Sequence, residues 1–159
     1  MGIKIRKAVK SDVKSIMNLI QALADFENES DAVEITEEEL LRDGFKENAL
    51  FDVLLAEVAD KVVGMAFYYF RYSTWKGKSI HLEDLIVFEE YRKQKVGTAL
   101  YTAFLEEAKK EEVRRVEWAV LDWNTPARDF YKSSGATILS EWEVVQMDRQ
   151  AVLNYLKKA

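Results

Sequence analysis

The sequence predicts an α/β domain in which apolar strands alternate with amphipathic helices in the order β-α-α-β-β-β-α-β-α-β-β-α. Three observations carry this. Apolar residues recur at helical spacing over two long stretches, 13–24 and 96–104. Runs rich in β-branched, aromatic and aliphatic residues occupy 51–58, 62–72 and 79–87, divided by short polar turns. A length of 159 residues, 48% hydrophobic and 32% charged, is enough for one core and one domain over 1–159.

In chain order, residues 3–8 read as a strand, and a helix follows from Ser11, with Val13, Ile16, Met17, Ile20, Leu23 and Ala24 on one face. Thr36 and Glu39 have capping-box spacing and start a second helix that ends near Gly44. Residues 51–58 and 62–72 form an antiparallel pair around Asp60, followed by the 79–87 strand. Val96, Ala99, Leu100, Ala103, Phe104 and Glu107 define a helix starting near Lys95. Residues 114–121 supply another strand, and Asn124 or Thr125 caps a helix with Pro126 in its first turn. Residues 136–139 and 143–147 read as final strands, before an amphipathic segment from Asp148. No repeats or low-complexity tracts interrupt this order.

Residues 80–100, IHLEDLIVFEEYRKQKVGTAL, are the most informative stretch. Ile80, Leu82, Leu85, Ile86 and Val87 mark a strand buried on both faces, where an ionised carboxylate is costly unless paired or used. Glu83 and Asp84 therefore stand out, and plain strand alternation sends them to opposite faces. The chain then enters a helix whose free N–H groups and dipole favour an anion, beside Arg92, Lys93 and Lys95. A phosphate-bearing cofactor suits that place, although a solvent-facing basic helix start would read the same way.

That stretch closely resembles the acetyl-CoA signature of the GCN5-related N-acetyltransferases, in which R-x-x-G-x-G after a strand cradles the pyrophosphate of coenzyme A. Lys95 stands where the family usually has its first glycine and Lys93 where many members have another, while Gly97 is kept. A left-handed backbone at Lys95 would cost about 1–2 kcal/mol. YFRYSTWKGKSIHLEDLIV, WAVLDWNTPARDFYKSSGA, IRKAVKSDVKSIMNLIQALADFE and TEEELLRDGF resemble the diamine (spermidine/spermine) acetyltransferases and their thialysine-acetylating relatives. STWKG and AVLDWN look more like the thialysine branch.

The resemblance implies a central mixed, mostly antiparallel, twisted sheet flanked by helices, and a homodimer. It implies acetyl-CoA contacts from Leu85, Ile86, Val87, Arg92, Lys93, Gln94, Lys95, Val96, Gly97, Thr98, Asn124, Ala127 and Tyr131. Acceptor contacts fall on Phe26, Glu27, Glu83, Asp84, Glu117, Trp118 and Ala119. A backbone N–H near Leu85 corresponds to the oxyanion donor, and Tyr131 to the acid that protonates the departing thiolate.

The chemistry needs such parts. A primary amine with a pKa near about 10.4 is scarcely nucleophilic at neutral pH, so a base helps. Glu83 is the expected base if burial raises its pKa; otherwise it is a carboxylate satisfied by backbone donors or by His81. Asp84 either contacts the cationic acceptor or makes a structural pair. Tyr131 reads alternatively as a packed core residue, Asn124 as a plain N-cap, and Tyr68, Tyr69, Phe70 and Trp75 as core or subunit-contact residues.

Composition narrows the function further. There is no cysteine, which excludes disulfides, thiolate metal sites and a cysteine acyl-enzyme, and favours direct attack in a ternary complex. With one histidine and no ligand cluster, no catalytic metal is expected. Residues 25–39 carry eight acidic and no basic side chains on a chain of net charge -5. That run attracts a small cationic amine, or is simply a solvated loop, and it argues against nucleic acid. No signal-peptide core or membrane-spanning run is present, so a cytoplasmic enzyme is expected. The expected function is acetyl-CoA-dependent N-acetylation of a diamine, polyamine, thialysine or lysine-like amine; the other reading is a non-catalytic acetyl-CoA-binding sensor or scaffold.

Overall fold

The apolar runs of the middle of the chain form three long antiparallel strands, and these organise everything up to Ala119. The protein is described by a computed structural model covering residues 2–158. Two units divide at Ala119/Val120.

In the first unit, β1 (Ile3–Lys7), β2 (Asp52–Val58), β3 (Lys61–Ser73), β4 (Gly77–Val87) and β5 (Val116–Glu117) form one sheet in sequence order. β1 to β4 are antiparallel neighbours, and β5 lies parallel to β4. This is the mixed, mostly antiparallel sheet expected from the sequence. Helices α1 (Val13–Phe26) and α2 (Glu37–Gly44) bury Val13, Ile16, Leu19 and Leu40 with Leu55, Met65 and Ile86. Helix α3 (Val96–Lys110) buries Val96, Leu100, Phe104 and Ala108 with Ala66, Tyr68, Ile80, Leu82 and Val87 on the other face. The Thr36–Glu39 capping box is made, with the Glu39 amide donating to the Thr36 hydroxyl at 3.2 Å.

The register of β3 against β4 is interrupted at one point. Phe67 stands opposite Asp84 and Tyr68 opposite Leu82, so Glu83 is an extra residue, a β-bulge. The bulge explains an otherwise irregular pattern. Leu82 and Leu85, three apart, both face α3 with Ile80 and Val87, while Ile86 faces the helices of the other side.

Two expectations fail. The strand expected over 114–121 shrinks to Val116–Glu117, and its pairing ends at His81, just before the bulge bends β4. Residues 136–139 and 143–147 form no strand among the described residues. A strand exists only as part of a hydrogen-bonded ladder, and these segments have none; Leu139, Val144 and Val145 are exposed.

The second unit contains α4 (Thr125–Ser133) and α5 (Arg149–Leu156). Asn124 caps α4 by accepting from the Ala127 amide at 3.4 Å, with Pro126 in the first turn. Asp148 caps α5 in the same way through the Ala151 amide at 2.7 Å. No described helix is long and apolar enough to cross a membrane.

Gly64 on β3 is closely hemmed in: an added Cβ would meet the Ile86 carbonyl oxygen of β4 at 2.8 Å and the Leu100 side chain of α3 at 3.1 Å. Gly64→Ala should therefore lower stability by about 1–3 kcal/mol, read from the urea midpoint. An unchanged midpoint would mean that β3 and β4 do not meet so tightly.

Candidate active site

The bulge brings the two carboxylates onto one face. The expectation that Glu83 and Asp84 point to opposite sides is corrected, because the inserted residue resets the alternation of β4. Asp84 is opposite Phe67, and Glu83 accepts a hydrogen bond at 3.1 Å from the hydroxyl of Tyr69, two residues along the same face of β3.

Their environments also differ from the expectation. The Glu83 side chain is 50% exposed, so the burial expected of it is absent. Asp84 is the more enclosed of the two, and its carboxyl is pushed up to about 7 by desolvation and by the charges of Glu83 and Glu27. Glu27, just after α1, is held above its usual range by burial and by Glu29. Asp84 thus lies within the field of both Glu83 and Glu27.

Other expected acceptor residues distribute around it. Glu117 pairs across from His81 and forms an ion pair with Arg71 at 2.7 Å. Trp118 turns to the α3 face, edge-on to Tyr101 with ring centroids 5.8 Å apart, as alternation after Glu117 requires. Ala119 is exposed at the end of the first unit. The Phe26 ring lies beneath the Arg92 guanidinium, 4.8 Å from its centroid, and so joins the end of α1 to the basic loop.

That loop is tethered to β4 by Arg92, whose Nε donates to the Val87 carbonyl at 3.0 Å. Gln94 closes it from within, donating to the Glu90 carbonyl at 3.0 Å. Lys93 and Lys95 both have positive φ, 61° and 65°. The strained backbone anticipated for Lys95 is therefore real, and Lys93 shares it. Lys95 is the N-cap of α3 and has no acceptor atom on its side chain, so the amides of Val96, Gly97 and Thr98 receive no side-chain cap. A Cβ added at Gly97 would meet nothing nearer than 3.8 Å, so the fold does not require glycine there.

Ile86, Val87 and Val96 are buried, which leaves their backbone as what they can offer a ligand. The direction of the β4 backbone follows from one hydrogen bond. The Phe88 amide donates to the Val63 carbonyl at 2.9 Å, so alternation makes Ile86 and Asp84 the bonded positions and turns the Leu85 and Val87 amides away from β3. In the second unit, Tyr131 is buried on α4 with its ring 5.7 Å from that of Phe130, and Ala127 is half-buried in the first turn. Asn124 uses its carbonyl as the cap and so has its NH2 to offer.

Sequence reasoning missed Tyr69 and Arg71 as neighbours of the carboxylates. Counting register back from the Ser73–Gly77 hairpin pairs Tyr69 with His81 and would have found the first of them.

The first unit thus carries uncapped amides and lysines after a strand, an outward strand amide, and an acidic face. The acetyltransferase (GNAT) family profile matches residues 15–136, and the chain belongs to that family. It is 40% identical to a thialysine N-epsilon-acetyltransferase of Bos taurus, over 94% of this chain and 95% of the relative. It is 36% identical to a human spermidine/spermine N(1)-acetyltransferase-like protein 1, over 95% of this chain and 23% of that one. Among solved structures, an integron cassette protein from the mobile metagenome of V. cholerae superposes with a TM-score of 0.80 at 25% identity, covering 100% and 99% of the two chains. The chain is accordingly an N-acetyltransferase.

Two predictions follow from the geometry. Lys95→Gly should raise stability by about 1 kcal/mol by relieving the left-handed lysine, and an unchanged or lower denaturation midpoint would contradict that strain. Asp84 binds its proton more tightly folded than unfolded, so its ionisation disfavours folding: stability falls as pH rises from about 3.8 to about 7, then levels. Asp84→Asn should therefore be more stable than the parent at pH 8 and equal to it near pH 4. A pH-independent difference would rule out desolvation as the cause.

Proposed function

We propose that the protein transfers the acetyl group of acetyl-CoA to a primary amine of a small cationic acceptor, thialysine or lysine-like in preference to a diamine or polyamine, by direct attack in a ternary complex. The observation that carries this reading is the bulge, which sets Glu83 and Asp84 on one face while the next amide, Leu85, points off the opposite edge from β3. The thialysine preference is supported by the names of the relatives, together with STWKG and AVLDWN in the sequence.

Acetyl-CoA supplies a thioester-activated acetyl group. Its phosphates suit the uncapped amides of Val96, Gly97 and Thr98 with the charges of Arg92, Lys93 and Lys95, and the space beside Gly97 lets a ligand approach the backbone. The cationic acceptor suits Glu27, Glu83 and Asp84, with Phe26 beside them. The acceptor's ammonium proton passes to the Glu83/Asp84 pair, directly or through water. A raised proton affinity at Asp84, maintained by burial and by its charged neighbours, matches that task near neutral pH.

As nitrogen bonds to the acyl carbon, the Leu85 N–H is suited to the charge growing on the carbonyl oxygen, help typically worth about 3 kcal/mol. The carbon–sulfur bond then breaks; in the role the family resemblance gives it, the Tyr131 phenol gives its proton to the thiolate, and the second proton that nitrogen loses on becoming an amide passes to solvent, from which the phenolate regains its own. Exposed Tyr72 and Trp75 on the β3–β4 hairpin support a homodimer as part of this reading.

Free-thiol release from acetyl-CoA at about pH 8, with thialysine, lysine, putrescine and spermidine offered in parallel, tests the assignment. Saturable release with thialysine or lysine is expected, and Tyr131→Phe should lower kcat about 100-fold while leaving acetyl-CoA affinity within about twofold. Binding of acetyl-CoA without release for any amine would replace this reading with a sensor or scaffold.

A further inference from the structure

His81, the chain's single histidine, sits at the centre of a row of side chains that crosses three strands. It pairs across with Tyr69 on β3 and Glu117 on β5, with its ring 5.2 Å from that of Tyr69. One nitrogen of Arg71, Nη1, lies 2.7 Å from Glu117 Oε1 and 3.0 Å from His81 Nδ1. The other imidazole nitrogen, Nε2, lies 3.5 Å from Glu83 Oε2, the oxygen that also accepts from Tyr69.

A guanidinium has only donors, so His81 Nδ1 must accept. The neutral ring then carries its hydrogen on Nε2, on the side of Glu83. Glu117 aims Arg71, Arg71 selects the tautomer, and the tautomer presents an N–H to the bulged carboxylate. The groups facing the imidazole are Tyr69 and Arg71 from β3, Glu83 from its own strand and Glu117 from β5. A second ring proton would sit on Nδ1, against the Arg71 donor, and burial likewise holds the ring's pKa below its usual value.

We propose that His81 is a positioning residue for acetyl transfer, locked by the Arg71–Glu117 pair in the Nε2–H tautomer so that it and Tyr69 together hold one oxygen of Glu83 and leave the other for the acceptor amine. This rests on the acetyl-transfer reading above and adds a role for His81, Arg71 and Tyr69 that packing alone does not give them. The strand residues differ in what they supply. Tyr69 and His81 touch Glu83, whereas Arg71 and Glu117 act one step further away through the ring.

Because there is one histidine, its tautomer can be read directly from the ring nitrogens of ¹⁵N-histidine-labelled protein by NMR at pH 8. The parent should show the Nε2–H form. Arg71→Met should lose that preference and lower kcat about tenfold with the acetyl-CoA KM unchanged. Glu117→Gln, which keeps the shape of the site, should shift both readouts in the same direction and serves if Arg71→Met does not fold. An Nδ1–H ring in the parent, a variant that keeps the tautomer, or a variant that loses the tautomer but keeps turnover would each overturn the proposal. The tautomer needs no turnover to be seen, so a parent protein that acetylates none of the amines would instead count against the acetyl-transfer reading.

Discussion

One extra residue in β4 is the constraint on which the site depends. Without the bulge, strict alternation would place Glu83 and Asp84 on opposite faces, one of them against the α3 core. With it, both carboxylates share the face that carries Tyr69 and His81, and the apolar residues on either side stay in phase with their own cores. The same irregularity coincides with the end of pairing to β5. It therefore gathers acidic side chains and leaves a strand edge whose amides are not committed to a neighbouring strand.

The basic loop shows a second compromise. Two lysines occupy left-handed positions that glycine would fill without strain, which costs stability locally. In exchange, the loop carries two exposed ammonium groups where the helix start already favours an anion. Arg92 connects this loop to both sides of the site, through the Val87 carbonyl and through the Phe26 ring at the end of α1. Charge and backbone geometry are thus coupled across the two expected ligand regions, while Asp84 carries a comparable conflict between stability and proton affinity.

Much of this was legible in the sequence. Helical periodicity located α1 and α3, the Thr36–Glu39 spacing located α2, and the turn around Asp60 located the β2–β3 hairpin. The glycine-to-lysine departures already posed the question that the φ values at Lys93 and Lys95 answer. The bulge was not legible, because a strand pattern of IxLxxLIV fits both a doubly buried regular strand and one with an insertion; only pairing decides. For the same reason the apolar segments after Ala136 read as strands although no ladder receives them, and the more enclosed carboxylate is Asp84 rather than Glu83, for which burial was expected. Long-range pairing is the information that a single sequence carries least well.

Deleting Glu83 separates what the bulge does for folding from what it does for chemistry. Removal of that residue leaves Ile80, Leu82, Leu85 and Val87 on the α3 face and Ile86 on the other in a regular strand, so the core can still close. The deletion protein should unfold cooperatively at a temperature close to that of the parent and release no thiol from acetyl-CoA with any acceptor amine. Turnover comparable to the parent's, in a folded deletion protein, would contradict the claim that this bulge builds the active site.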